Sequence, residues 1–473
     1  MSGGQQHDVV ILGGGPGGYA AALYAASAGL DVAMVEGDRV GGTCLNRGCI
    51  PAKALLQAAE VFRTATHAPD FGIVPADGDG AGVRYRADWP KVNARSRGVV
   101  DRLVGGLSGL LKKRKVTVVD GWGRLTPDGA GVAVGDTVVS GRAVILATGS
   151  VPRSIPGFEF DGQRIVSSDH TTDTGYLPER VAVVGGGVIG VEFASVYTDV
   201  GVDTTLLEAL PGQGVLPIGP DQELVKILAR ALSKRGTKVH GGARVSAPEP
   251  TETGVLVAFE DGGGSHKIEV DQVLVAVGRR PLTENCGLAE AGVAVDAKGF
   301  IEVDRTTMQT SRPGVYAVGD AVATPGLAHV AYAEAIVAVT GILGERPVPV
   351  DYARVPWVVY SHPEVAWAGM TEDEARAAGH DVAVSRYHFA GNGRALIIGE
   401  PDGVVKVVAE RGGPILGVHI VGPWASELVS EGYLAVNWQA LPAEVGSFVH
   451  AHPSLAEALG EATLALTGRS LHG

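Results

Sequence analysis

Two cysteines, Cys44 and Cys49, stand in the stretch GGTCLNRGCIPAK (41–53) of a 473-residue chain whose only other cysteine is Cys286. A disulfide between them would close a ring far smaller than the ~15-residue loop to which chain entropy assigns about 3 kcal/mol. Stabilisation is therefore a poor reason for the pair. A chain of this length buries ample apolar surface without staples, and one leftover cysteine does not describe a secreted disulfide framework. Redox exchange or a metal remain. A metal would need further Cys or His ligands at set spacing, and no second Cys-x-x-Cys or His-x-x-x-His cluster accompanies the stretch, so no metal site is expected. On the local sequence alone, two idle thiols also stay open.

Thiols that exchange electrons need a redox partner held against them, and the chain carries two elements suited to hold one. Residues 8–18, DVVILGGGPGG, run from an apolar strand into Gly13, Gly15 and Gly18 in G-x-G-x-x-G spacing, then into the helical YAAALYAASAGL and a second strand ending at Glu36. Residues 181–208 repeat this as VAVVGGGVIGVEFASVYTDVGVDTTLLE, with Gly185, Gly187 and Gly190 followed by Glu208. In such a βαβ unit the glycines make the tight turn, admit a pyrophosphate to the backbone and allow close helix–strand packing. The helix N-terminus then holds the anion, and the acidic residue closing the second strand accepts hydrogen bonds from a ribose. One such fingerprint is weak; two in strand–turn–helix–strand context predict two dinucleotide sites. They suggest electron transfer between a bound flavin and a diffusible nicotinamide, which gives the cysteines something to exchange electrons with. Glu208 is followed by ALPGQG, with no Arg or Lys to receive a 2′-phosphate, so NAD is expected over NADP.

Two further turns fall at corresponding places. ILATGSVPRSIPG (145–157) and VLVAVGRRP (273–281) each end a β-rich run in a glycine, Gly149 and Gly278, then reach a proline. They mark the ends of the two nucleotide modules. Beyond GVYAVGDA (314–321), with Asp320 at an expected helix start, residues from 349 onward change to short strands, turns and amphipathic helices without a fingerprint. The expected organisation is α/β: a nucleotide-binding domain over 1–150, a second over 151–280, a central segment 281–348 completing the first, and an α+β domain over 349–473.

The formal charge of −13 argues against a general polyanion binder, so no nucleic-acid partner is expected. No apolar stretch approaches the ~20 residues a membrane helix needs, and the start, MSGGQQHDVVILGGG, reads as a mature cytoplasmic one.

The order of these motifs, with YSHPEVAWAGMTE and the terminal HAHPSLAEAL, resembles the flavoprotein disulfide reductases across nearly the full chain, and within them most the dihydrolipoamide dehydrogenases. Ala52 departs from the serine or threonine frequent in that family, but neither cysteine nor Lys53 moves. The resemblance implies FAD in the first fingerprint and NAD in the second, with Thr43 also beside the cofactor. It makes Cys49 the flavin-side thiolate and Cys44 the thiol that meets the substrate, and it pairs Lys53 with Glu192 beside the flavin. It also gives Asp320 to the ribitol chain and Glu36 to the adenosine ribose. His452 would be the base for thiol exchange and Glu457 its orienting partner, with His450 a neighbour; a thiolate-forming step does need a base titrating near neutrality. The local alternatives are ordinary. Lys53 is then a surface helix lysine, Glu192 a first-turn glutamate favoured by the helix dipole, Asp320 an N-cap, and Ser454 with Glu457 an S-x-x-E capping box.

The implied activity is oxidation of dihydrolipoyl groups on lipoyl domains of 2-oxo-acid dehydrogenase or glycine cleavage complexes. The Cys44–Cys49 disulfide would pass the electrons to FAD and NAD in a C-terminally joined homodimer. Reduction of a small disulfide and a mainly structural role in a complex are the alternatives. The terminal TGRSLHG, without a cysteine pair, disfavours mercuric ion.

Overall fold

The computed structural model describes residues 6–76 and 85–472. Its first sheet is built on the strand His7–Leu12, which pairs in parallel with Val32–Glu36 on one side and Thr137–Leu146 on the other. Thr117–Asp120 extends the parallel order beyond Val32–Glu36. On the far side, Val315–Ala317 pairs with Thr137–Leu146. The chain thus returns to the first sheet after building the second. Val9, Val10 and Ile11 are wholly buried, as a central parallel strand covered on both faces requires.

Small residues make the helix layer close. The helix Pro16–Ser27 carries Pro at its first position, where the missing N–H costs nothing, and buries Gly17, Gly18, Ala21, Ala22 and Ala25. It lies against the helix Ala328–Ile342. A side chain at Gly17 would come within 2.8 Å of Val318. Glycine there sets the spacing between helix and sheet.

The second sheet repeats the plan with parallel strands in the order Lys238–Gly241, Asp203–Glu208, Arg180–Val184, Gln272–Val275, Ile165–Val166. An antiparallel hairpin, Val255–Asp261 with Gly264–Val270, stands beside it. The ends of the two units meet: Ser150–Pro152, after Gly149, pairs antiparallel with Arg279–Pro281, after Gly278.

The C-terminal part is a five-stranded antiparallel sheet, in which Glu364–Gly369, Ile415–Gly422, Val404–Glu410 and Val382–His388 are successive neighbours. Helices Ala425–Asn437 and Glu457–Ala465 share its core. Val359, Val365, Trp367, Val404 and Val421 join a different core with Val191, Phe193, Leu224 and Leu228 of the second nucleotide unit. Burial of that apolar face fixes the C-terminal sheet on the second unit. Among the described residues, no helix is long and apolar enough to cross a membrane.

Candidate redox and dinucleotide site

The two fingerprints fold alike down to individual atoms. Gly13 (φ +105°) and Gly185 (φ +109°) hold the left-handed turn that closes the strand, a region favouring glycine. A Cβ on Gly18 would lie 1.8 Å from the Gly13 carbonyl oxygen, and one on Gly190 1.8 Å from that of Gly185. Helix and turn therefore touch backbone to backbone. The acidic residues are spent alike: Gly14 N–H donates to Glu36 Oε2 at 2.6 Å, and Gly186 N–H donates to Glu208 Oε2 at 2.7 Å. The other oxygen of each accepts from a backbone N–H two residues on, Asp38 to Glu36 at 2.8 Å and Leu210 to Glu208 at 2.7 Å. Burial pushes the Glu36 carboxyl up, and the Gly14 N–H opposes it. Gly15 and Gly187 are the residues just before their helices.

The cysteine stretch is laid directly across the first fingerprint. Gly41 N–H donates to the Gly14 carbonyl at 2.8 Å, and a Cβ on Gly42 would stand 2.6 Å from Gly15 Cα. Cys44 sits with Thr43 on the short helix Gly42–Asn46, and Cys49 opens the long helix Cys49–His67. Both thiols are free and half-buried. Contact with the Cys49 sulfur raises the Cys44 thiol far above its usual range, and burial adds to this. Contact with Cys44 lowers the Cys49 thiol to about 7; burial opposes that, and the Lys53 charge supports it. A thiol at a helix N-terminus beside a cation is the environment in which thiolates form. Of the two thiols, Cys49 is the one whose surroundings favour the thiolate.

Lys53, one turn along the same helix, meets Glu192 from the helix Val188–Asp199 at 3.0 and 2.9 Å. Glu192 is only 4% exposed. It lies beyond the first helical turn, so the dipole explanation does not hold, and Lys53 is no free surface lysine. Burial works to lower the Lys53 amine, but the Glu192 carboxylate outweighs it through charge and hydrogen bonding and holds it up. Tyr360 closes the arrangement, with its ring 4.9 Å under Lys53 Nζ and its N–H donating to Glu192 Oε1 at 3.0 Å.

Asp320 belongs to a single 3-10 turn, Gly319–Ala321, while the following helix begins at Ala328 with Leu327 as its cap. The N-cap explanation fails because the residues between the turn and that helix are not helical. Ser150 Oγ donates to Asp320 Oδ2 at 2.5 Å, and Arg279 Nε donates to the same Ser150 oxygen at 2.7 Å. Arg279 reaches this point because its strand pairs with that of Ser150. Gly319 N–H donates to the buried Glu334 at 2.6 Å. Ser150, Arg279, Glu334 and Tyr360 were not singled out in the sequence. Arg279 lies inside AVGRRP and Tyr360 inside YSHPEVAWAGMTE, but the contacts that give them a place are all long-range.

At the other end of the chain, His452 Nδ1 and Glu457 Oε1 are 2.8 Å apart, while Glu457 Oε2 accepts the Ser454 N–H at 2.7 Å. The expected capping box is half-made. Helix Glu457–Ala465 starts at Glu457 itself, and Ser454 Oγ is buried without a hydrogen-bond partner. One carboxylate thus orients the imidazole and the turn before the helix. The His452 side chain is 79% exposed. His450 is more buried, bonded to Glu431 at 2.9 Å and packed where a Cβ on Gly460 would strike its ring at 2.5 Å. Within the single chain, no hydrogen bond or ion pair between described residues joins His452 to Cys44 or Cys49.

Residues 7–335 match the family model of the pyridine nucleotide-disulphide oxidoreductases, and residues 355–463 match the dimerisation domain of the same family. A protein from Bacillus subtilis named dihydrolipoyl dehydrogenase is 41% identical, with 99% of each chain covered. One of that name from Thermus scotoductus is 42% identical, with 98% of each covered. Among solved structures, LpdA from Mycobacterium tuberculosis superposes with a TM-score of 0.88 at 28% identity, over 97% of this chain and 99% of the other. The HOCl-induced flavoprotein disulfide reductase RclA from Escherichia coli, in a Cu(II) complex, gives 0.85 at 26%, over 98% and 100%. With its paired nucleotide units, its thiol pair laid across the first of them and its C-terminal dimerisation domain, the chain belongs to the pyridine nucleotide-disulphide oxidoreductases.

Proposed function

We propose that this protein is a dihydrolipoyl dehydrogenase, a homodimer of the cytoplasm that oxidises dihydrolipoyl groups on lipoyl domains and reduces NAD. The observation that carries the redox chemistry is the thiol pair laid across the first dinucleotide fingerprint, with Cys49 on the helix whose Lys53 is paired with Glu192. The substrate is argued from the full-length relatives of that name.

The first unit fits a dinucleotide. Its turn has no room for side chains at Gly13 and Gly18, and Thr148 Oγ1 beside it is buried without a partner. Gly13, Gly15, Gly18, Glu36, Thr43, Gly149 and Asp320 would hold FAD there; Gly185, Gly187, Gly190, Glu208 and Gly278 would hold NAD. The bound flavin supplies a two-electron acceptor beside Cys49, and NAD supplies the terminal hydride acceptor.

The remaining chemistry belongs to the chain. With Nδ1–H held by Glu457, His452 presents Nε2 as a base and accepts a proton from a dihydrolipoyl thiol. That thiolate attacks Cys44 Sγ, the Cys44–Cys49 bond breaks, and Cys49 leaves as the thiolate its surroundings favour. The second substrate thiol attacks the substrate sulfur of the mixed disulfide, releasing Cys44 and closing the lipoyl disulfide. Two electrons now rest on the cysteines; re-forming their disulfide returns them, and the balance is dihydrolipoyl plus NAD⁺ to lipoyl, NADH and H⁺. By the resemblance Cys44 would meet the substrate, and His452 of one subunit would serve Cys44 of the other.

Purified yellow protein, assayed with dihydrolipoamide, glutathione disulfide and mercuric ion against each nicotinamide, tests this. Turnover is expected with dihydrolipoamide and NAD. Preference for glutathione disulfide with NADPH overturns it.

A further inference from the structure

His240, Asp261 and His266 are 21 and 5 residues apart along the chain, in no metal-ligand spacing, yet the fold brings them together on the second nucleotide unit, away from the thiols. His240 lies on the edge strand Lys238–Gly241, Asp261 ends the strand Val255–Asp261, and His266 follows on the return strand Gly264–Val270. In the hairpin register Phe259 faces His266, and Asp261, two residues beyond Phe259, shares that face because strand side chains alternate. His240 closes the group from the other sheet. Its Nδ1 is 2.7 Å from Asp261 Oδ2, and His266 Nε2 is 2.9 Å from Asp261 Oδ1.

We propose that these three residues form a binding site for a borderline divalent cation of the zinc class, with His240 Nδ1, Asp261 and His266 Nε2 as ligands. Two imidazoles and one carboxylate are the donors such ions take, and three protein ligands leave a coordination position open to water. The three donor atoms lie within 4.8 Å of one another. Ligands at 2.0–2.1 Å from zinc stand about 3.3 Å apart, so binding draws the two imidazoles together by about an ångström or more as the carboxylate turns.

The surroundings are those of a formed site. Phe259 stacks on the His266 ring at 4.8 Å and meets the His240 ring edge-on at 4.8 Å, which orients both imidazole planes. Gly263 N–H donates to Asp261 Oδ1 at 2.8 Å, orienting the carboxylate as an outer-shell partner does. The turn opposite carries three glycines, 262–264. A Cβ at Gly263 would come 3.2 Å from Asp261 Oδ1 and 3.7 Å from His266 Nε2, so glycine leaves the approach open. Among the described residues this is the one group of three or more such side chains placed to share an ion. Bound metal would tie the hairpin to the sheet edge.

The test is equilibrium dialysis of the FAD-loaded protein against Zn²⁺, followed by metal analysis. Cys44 and Cys49 are held as their disulfide so that the thiols take no metal. One zinc per chain is expected, with an X-ray absorption spectrum of two imidazoles and oxygen. Affinity should fall about 10-fold or more in each of His240→Gln, Asp261→Asn and His266→Gln. Should His240→Gln misfold, His266→Gln on the exposed hairpin decides, with flavin retention as the check on folding. Zinc uptake that is absent from the parent, or unchanged in His266→Gln, overturns the proposal.

Discussion

Lys53 Nζ is shared between both carboxylate oxygens of Glu192, and the pair joins the helix that begins at Cys49 to the helix that follows the second fingerprint. The helix of the thiol pair and the second nucleotide unit are connected through two side chains. Glu192→Gln should therefore damage electron transfer through the cofactor and leave thiol exchange intact. A fall of about 100-fold in NADH-linked turnover is expected, as for loss of positioning near reacting atoms. Rapid mixing of the oxidised protein with dihydrolipoamide should show the exchange step unchanged. An equal loss in both steps removes the pair from cofactor chemistry.

The downward shift of the Cys49 thiol sets a pH dependence. Cys49 titrates at about 7, below an ordinary thiol, so its thiolate is present above that pH and lost as pH falls through it. In the two-electron-reduced protein, long-wavelength thiolate-to-flavin absorption should rise with a midpoint near 7. Cys44→Ala removes the neighbouring thiol and should move the midpoint up by about one unit, toward the usual ~8.5. Cys49→Ser should abolish the band; its survival there would exchange the two roles.

Glu208 takes two backbone N–H groups and is almost buried, so its carboxylate is fixed before any ribose arrives. Replacement by Gln should lower kcat/KM for NADH about 10- to 100-fold, as for a lost charged hydrogen bond. Glu208→Arg should in addition improve relative use of NADPH. Steady-state assays with both nicotinamides check this, and an unchanged ratio contradicts it.

His452 is exposed, and no described contact ties it to the thiols of its own chain. A site completed across the dimer predicts complementation. When Cys44→Ser subunits exchange randomly with His452→Gln subunits, half the dimers are hybrids with one intact site each, so about a quarter of all sites should recover. Activity should appear on mixing, with hybrids counted by differential tags. No recovery in confirmed hybrids places both groups in one chain.

Lys406, 3% exposed, bonds Asp221 at 2.8 Å and Glu372 at 2.9 Å, joining the second nucleotide unit to the C-terminal sheet. Lys406→Met leaves the buried Asp221 carboxylate without its cation, while Glu372 keeps Arg376, and should cost about 3 kcal/mol in urea unfolding. Burial pushes the Asp221 carboxyl up, but Lys406 and the Glu223 N–H outweigh it and hold it below the usual range. A depressed carboxyl stabilises the fold above its unfolded pKa, about 3.9, and loses that contribution as pH falls below it. The variant's deficit should therefore shrink in acid.

The sequence alone determined the parts whose chemistry is local. Gly13, Gly18, Gly185 and Gly190 are dictated by turns that admit no side chain, and Glu36 and Glu208 by strand length, so the two nucleotide units were readable from spacing. The cysteine motif named its own chemistry once those units were in view. Local rules misled where a residue's partner is distant. Asp320 and Glu192 were each open to a helix-end explanation, and each is instead held by residues more than a hundred positions away, Ser150 and Lys53. Tertiary structure also separated the two thiols, since Cys49 opens the helix that carries Lys53 and is shifted down while Cys44 is shifted up. The same holds for Arg279, Tyr360 and the His240–Asp261–His266 group, assembled from strands that pair across long loops. Spacing along a chain reports short-range backbone geometry; charge, burial and hydrogen-bond direction are set by what packs against a side chain, and that exists only once the chain has folded.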